Sequence, residues 1–315
     1  MQNCVNSKDI LVDNVQNNAN SLEFSYKNKS SSFSDVVDIF DAINSDIQNR
    51  NFTESDYISS GFVGLDKIIN GFEKSNFVVI GSKTSVGKSA FALNIVNNLC
   101  QQNRSVGFFT LEGPSENYMT RLMAMNSRVE FHKIYSNRMD ENERLKCNKA
   151  FSKIKNFKIY IKGASVMTIH ELKAHAREMK EYYGVEIIFI DRIDLISILH
   201  NNIPQFPLFE EIADLSRNIR ALAKELEIPI IVLCPLYWYD EGREPSLADL
   251  GEMESLEQDA DTVIFLHREN EGLQDDCEEV RKVKVIVAKN RNGHTGVVTM
   301  DFVSSYTRFV DVGVG

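Results

Sequence analysis

Apolar residues follow two rhythms along this chain. Short apolar-rich runs over residues 77–80, 106–111, 157–161, 185–190 and 230–233 are too brief for helices and predict strands, the purest of them buried on both faces. Between them the spacing turns helical: Phe91, Ile95 and Leu99 in one segment, and Leu208, Ile212, Leu215, Ile219, Leu222 and Leu226 in another. Strand and helix in alternation predict an α/β fold whose mostly parallel central sheet is covered on both faces. Further strands over 261–267, 281–288, 296–302 and 306–310 follow one another without helical segments, predicting antiparallel pairing at the C-terminal end.

Boundary residues support these elements. Thr168 with Glu171 forms a capping box for a helix reaching about Tyr182, and a charged helical stretch covers about 139–155. Pro114 takes a first-turn position before Ser115 and Glu116, and Pro229 follows the long helix. The polar stretch after Leu233, with Gly242, Pro245 and Gly251, predicts loops with little regular structure, and the acidic run from Glu269 to Glu279 a solvated hairpin loop. Residues 1–32, rich in Asn, Ser and Lys, read as a disordered tail. Within 33–58, Val36, Ile39, Phe40, Ile43 and Ile47 share one face of a helix capped by Ser34, followed by a polar linker, and the main domain occupies 59–315.

Composition narrows the picture. A chain of 315 residues that is 43% hydrophobic holds one large domain plus a smaller appendage. No apolar run approaches the ~18 residues that span a bilayer, and the start of the chain has no signal-peptide pattern, so a cytoplasmic protein without membrane contact is expected. Five scattered cysteines with no Cys-x-x-Cys pair predict reduced thiols and no zinc site. A net charge of −10 argues against a surface that coats nucleic acid, although a ring could grip a strand through its lumen alone.

The chemistry centres on residues 77–90, where a strand runs into a small-residue turn and then Gly87-Lys88-Ser89 at the start of a helix. This is a phosphate-binding loop. Backbone N–H groups of Ser82, Lys83, Thr84, Ser85, Val86 and Gly87 would face the phosphates of ATP, Lys88 would reach the β and γ phosphates, and the Ser89 hydroxyl would ligand Mg²⁺. The usual first glycine is displaced, with Gly81 one residue early and Ser82 in its place. Two carboxylates close strands where such sheets place ligands: Asp191 as the second Mg²⁺ ligand and Glu112 as the group that polarises the attacking water.

These residues, with Ser-Gly-Phe-x-x-Leu-Asp at 60–66, Leu-Glu-x-Pro-x-Glu at 111–116, Ile-Arg-Ala-Leu-Ala-Lys-Glu-Leu at 219–226, Leu-Glu-Gln-Asp-Ala-Asp at 256–261 and Lys-Asn-Arg-Asn-Gly at 289–293, resemble the RecA-like motor domain of DnaB-type replicative DNA helicases over about 59–310. The resemblance implies a RecA-like P-loop NTPase in a homo-hexameric ring that hydrolyses ATP to move along single-stranded DNA. It implies that Glu112 is the catalytic glutamate, that Lys289 and Arg291 act on the γ phosphate of a neighbouring subunit, and that the 34–49 helix docks on that neighbour. Its partners would include a primase, a helicase loader or a full-length helicase.

Four departures accompany the likeness. The family's helical N-terminal domain has no counterpart here; Asp191-Arg192-Ile193-Asp194-Leu195 replaces the usual Asp-Tyr-Leu-Gln-Leu; Pro235 stands where a nucleotide-sensing Gln is usual; and Gly251-Glu252-Met253-Glu254 replaces Arg-Glu-Ser-Gly in the DNA-facing loop. Gly251, Glu252 and Glu254 would thus meet a phosphate backbone with the wrong sign of charge. Two alternatives follow: a helicase-derived ATP-binding regulatory or assembly subunit, and a RadA- or RecA-like recombination ATPase.

Overall fold

A computed structural model of the protein describes residues 57–197, 209–237, 242–268 and 279–312. The tail, the 34–49 helix and most of the acidic run lie outside the described residues. In chain order the elements are β1 (Tyr57–Ile58), α1 (Val63–Ile69), β2 (Phe72–Glu73), β3 (Phe77–Ser82), α2 (Lys88–Gln101), β4 (Val106–Thr110), α3 (Ser115–Ser127), α4 (Phe131–Tyr135), α5 (Glu141–Ile154), β5 (Ile159–Gly163), β6 (Met167–Thr168), α6 (Ile169–Tyr183), β7 (Ile187–Asp191), β8 (Ile196–Ser197), α7 (Phe209–Leu226) and β9 (Ile230–Pro235). There follow α8 (Glu254–Asp259), β10 (Thr262–His267), β11 (Val280–Asn290), β12 (Gly296–Val303) and β13 (Arg308–Asp311).

Nine strands form one sheet in the order β13-β12-β11-β10-β3-β9-β7-β4-β5. From β10 to β5 every pair is parallel, and β11 to β13 extend the β10 edge antiparallel. The expected α/β architecture with antiparallel C-terminal strands is therefore present. Strand residues alternate between two layers, as the two-residue repeat requires. Val78, Ile80, Phe108 and Phe189 face α2 and α3 on one side, while Val79, Phe109, Ile190 and Val232 face α6 and α7 on the other. Both faces are dry, which is why these runs lack polar alternation.

The capping box at Thr168 and Glu171 forms as read, with both reciprocal hydrogen bonds. Pro114 differs by one place, serving as the extended N-cap of α3 and standing outside its first turn. The larger difference lies after β9. In place of irregular loops, Leu247–Met253 forms 3₁₀ turns, kinked at Gly251 (φ 54°, ψ −118°), that run into α8. Leu247, Leu250 and Met253 recur every three residues, the period of a 3₁₀ turn, and the last two are buried against the α7 layer. A search for periods of two or 3.6 passes over this pattern.

Candidate functional site

Four parallel strands end at one edge of the sheet: β3 at Ser82, β4 just before Glu112, β7 at Asp191 and β9 at Pro235. The C-terminal edge of such a sheet is where ligands bind. A cleft of about 520 Å³ opens there, lined among others by Lys83, Thr84, Ser85, Gly87, Lys88 and Ser89 on one wall and by Glu112, Arg192 and Pro235 on the other.

The turn between β3 and α2 owes its shape to two glycines with different duties. Gly87, the N-cap of α2, has φ 108°, a conformation side chains rarely adopt. Gly81 lies inside β3, where a Cβ would come within 2.9 Å of Phe265, so the early glycine serves close packing. Ser82 is fully buried and its hydroxyl donates to the Lys83 carbonyl at 2.8 Å. The Val86 side chain belongs to the core, leaving only its backbone for a ligand. Asn94 ties α2 to β13: its amide donates to the Thr307 carbonyl at 2.9 Å, and its Oδ1 accepts from Phe309 N at 3.0 Å.

Asp191 is completely buried beneath this loop. Its Oδ2 accepts a hydrogen bond from the Tyr118 hydroxyl at 2.9 Å, and its Oδ1 has no hydrogen-bond partner. Burial raises its pKa above the ordinary carboxylate value, while Ser89, Lys88 and Tyr118 act in the opposite direction. Burial, with the charge of Asp191, also pushes the Tyr118 phenol above its usual range, so it stays a donor. A buried, half-satisfied carboxylate beside a serine hydroxyl fits Mg²⁺, which keeps several waters and binds through one or two protein oxygens plus substrate phosphates. Among the described residues there is no cluster of three or more His, Cys, Asp or Glu that would hold a metal without such phosphates.

Glu112 sits on the cleft rim with its side chain 46% exposed, 3.4 Å from the Arg192 guanidinium. Arg192 is held by Asp194 through two hydrogen bonds, and Tyr237 bridges both. Asp194 keeps the guanidinium well above its usual pKa, and burial, with Asp194, pushes the Tyr237 phenol up to about 12. Sequence reasoning noted Arg192 and Asp194 as departures but assigned them no place in the site. It missed Tyr118, Arg121 and Tyr237 altogether. The i, i+3 pair Tyr118 and Arg121, whose guanidinium lies 5.7 Å from the Tyr118 ring centre, was the one available signal.

Lys289 and Arg291 lie elsewhere, at the opposite edge. β11 ends there beside Asp261, whose backbone N–H bonds Phe77, the first residue of β3, and whose Oδ2 accepts from Phe77 N. The six residues of β3 separate this edge from the phosphate loop by roughly 17 Å at ~3.3 Å per residue. Here the last carbonyls of α8 are capped in turn: Glu257 by Lys289 Nζ at 2.5 Å, Gln258 by Arg291 Nη2 at 2.5 Å and Asp259 by Arg220 Nη1 at 2.6 Å. Burial and the neighbouring Arg291 lower the Lys289 pKa. Gly251, Glu252 and Glu254 are exposed, between the 3₁₀ segment and the start of α8.

Comparison with known proteins follows the same residues. The family model of the DnaB-like helicase C-terminal domain matches residues 57–311. The replicative DNA helicase DnaB of Geobacillus stearothermophilus is 30% identical over 310 residues, 96% of this chain and 67% of the relative. That of Treponema pallidum is 33% identical over 267 residues, 84% of this chain and 58% of the relative. The chain thus spans about two thirds or less of the length of such relatives. Among solved structures, an ATPase domain superposes with a TM-score of 0.79 at 28% identity, covering 89% of this chain and 99% of that one. A DnaB-like replicative helicase, solved to show its interactions with primase, superposes with a TM-score of 0.77 at 26% identity, over 97% of this chain and 74% of that one.

Proposed function

Because the chain belongs to the family of DnaB-like helicase C-terminal domains, we propose that it is an ATP-driven DNA helicase motor, hydrolysing ATP to move along single-stranded DNA and open duplex during replication. The observation that carries this reading is the convergence of Lys88, Ser89 and Glu112 on one cleft, with the buried, half-satisfied Asp191 close to Ser89 and Lys88.

In that cleft the amides of residues 83–87 and the Lys88 ammonium take up the charge of the β and γ phosphates. Ser89 and Asp191 would hold Mg²⁺, which would supply charge neutralisation at the phosphates of the nucleotide. Glu112 orients the water for in-line attack. Tyr118 occupies one oxygen of Asp191, and the other, without a hydrogen-bond partner, would serve the ion.

The transferring phosphoryl needs a cation to offset its developing charge. Lys289 and Arg291, at the far edge of the same sheet, cannot supply one to their own cleft and would do so for a neighbouring copy. Head-to-tail contacts of this kind close into rings, and a homo-hexamer with the finger in trans is the assembly proposed. Residues 59–315 would be the motor of this assembly; the proposed linker over 33–58 and the tail over 1–32 lie almost wholly outside the described residues. Gly251, Glu252 and Glu254 face the strand in this reading, with two carboxylates that weaken phosphate contact. A primase or a helicase loader is the expected protein partner. Among the described residues no helix is long and apolar enough to cross a membrane, and a cytoplasmic location fits this work.

A second reading, an ATP-binding regulatory or assembly subunit that no longer unwinds DNA, draws on Pro235 at the cleft and the acidic 251–254 surface. ATPase activity of wild type and Lys88→Ala, with and without single-stranded DNA, together with fork unwinding, decides between them. The helicase reading expects a loss of about 10³-fold in the variant, stimulation by single-stranded DNA and an opened fork. ATP hydrolysis that DNA neither stimulates nor couples to unwinding would favour the regulatory subunit.

A further inference from the structure

Arg192, next to the buried Asp191, is not a surface charge. Its side chain is 18% exposed, and its planar head is fixed from two directions. Nε donates to Asp194 Oδ1 at 3.0 Å and Nη2 to Asp194 Oδ2 at 2.5 Å, a bidentate fork. Nη2 also reaches the Tyr237 hydroxyl at 3.1 Å, and that hydroxyl donates to Asp194 Oδ2 at 3.0 Å. Asp194 is itself 6% exposed, so the fork is shielded from water. A guanidinium held this way cannot swing without breaking both bonds, which a lysine in the same place would not require.

The clamp uses Nε and Nη2. Nη1 is left, and it points to the cleft, where it meets Glu112 Oε1 at 3.4 Å. That separation is long for a charge-assisted bond, and the Glu112 side chain is 46% exposed. Arg192 therefore has one permanent partner, Asp194, and one exchangeable partner, Glu112. The exchangeable contact is made in the same cleft that Lys88 and Ser89 line. Pro235, on the same wall, offers neither a side-chain amide nor a backbone N–H to a phosphate.

Resting on the ATPase reading above, we propose that Arg192 is a positioning residue that senses the terminal phosphate from within its own subunit. With the cleft empty, Nη1 holds the Glu112 carboxylate. With ATP bound, the γ phosphate, which carries more negative charge than a carboxylate, takes over Nη1, and Glu112 is released to orient water. ADP lacks that group and leaves the Arg192–Glu112 contact in place. The Asp194–Tyr237 brace keeps the exchange local, because the guanidinium itself need not move.

The experiment measures, on the full chain with Mg²⁺, the affinities for ADP and for a non-hydrolysable ATP analogue, together with kcat. The proteins compared are wild type, Arg192→Lys, Arg192→Gln and the double variant Arg192→Gln/Asp194→Asn, in which no buried charge is left unpaired. The expected result is about a tenfold loss of affinity for the analogue with ADP affinity unchanged, in both Gln-bearing proteins. A fall in kcat of about 10–100-fold should accompany it, with partial recovery in Arg192→Lys. A double variant that keeps the wild-type ratio of analogue to ADP affinity would overturn the proposal. Wild-type protein that binds neither nucleotide would overturn the ATPase reading itself, and the sensor with it.

Discussion

The two edges of the central sheet treat their cations differently. At the C-terminal edge Arg192 is matched by a buried carboxylate and Lys88 lies over another, so positive charge is balanced within the chain and held in a fixed place. At the opposite edge Lys289, Arg291 and Arg220 donate to the last carbonyls of α8, which carry no formal charge, and Asp261 is shared between two guanidiniums at 3.5 and 3.7 Å. A cation resting on neutral carbonyls keeps its charge available to an anion from outside. In the proposed reading the first edge receives a nucleotide, and the second presents its cations to a neighbouring copy.

The strongest way to break this comparison is to remove the far edge's contribution. Arg291→Ala is expected to lower ATPase activity by about 10³-fold or more, the range for a phosphoryl-transfer finger. Because it also uncaps Gln258, loss of activity alone would not separate the roles. Mixing Arg291→Ala with Lys88→Ala protein should restore part of the activity, since each supplies what the other lacks across a shared interface; mixtures as inactive as their components would refute the trans role.

A second test sharpens the account of the near edge. Asp191→Asn removes a buried charge that burial disfavours, so it should raise the melting temperature of nucleotide-free protein by a few degrees, at ~2–4 °C per kcal/mol for a domain of this size. The same change should cost about 10²-fold or more in Mg²⁺-dependent hydrolysis. A variant that loses stability along with activity would mean that the Tyr118 bond and the attraction of the buried Lys88 ammonium outweigh the cost of burying the Asp191 charge.

The smallest effect is expected at Asp261. Asp261→Ala strips the Phe77 N–H, at the buried start of β3, of its acceptor, at about 1–3 kcal/mol. Thermal unfolding should therefore shift downward by several degrees while ADP affinity at the far cleft stays at the wild-type level. Weakened ADP binding would show that the two edges are not independent.

Much of this was readable from particular residues. The run Phe77 to Ile80 and the sequence Gly87-Lys88-Ser89 announce strand, turn and helix because burial on two faces demands unbroken apolar residues and the phosphate turn demands a glycine. The spacing over Ile212, Leu215, Ile219 and Leu222 announces α7 for the same kind of local reason. The 3₁₀ helix at Leu247–Met253 was not read, because its three-residue period looks irregular when helices and strands are sought and its burial comes from α7, a distant segment. Gly81 was read as a displaced loop glycine; only the approach of Phe265, from a strand far along the chain, explains it as a packing residue.

The sequence by itself determined the alternating α/β architecture and the strand-turn-helix at 77–90, and it named Glu112, Asp191, Lys289 and Arg291 as candidates, since each depends on local periodicity or on a short motif. Tertiary structure alone decided which of them meet. Parallel pairing brings the ends of β3, β4, β7 and β9 to one edge, so residues as distant in sequence as Lys83 and Pro235 share a cleft. Antiparallel return of β11 carries Lys289 and Arg291 to the other. The clamp of Arg192 by Asp194 and Tyr237 belongs to this second kind of fact: the side chains are plain in the sequence, but the direction of one guanidinium is set by contacts that exist only after the sheet has formed.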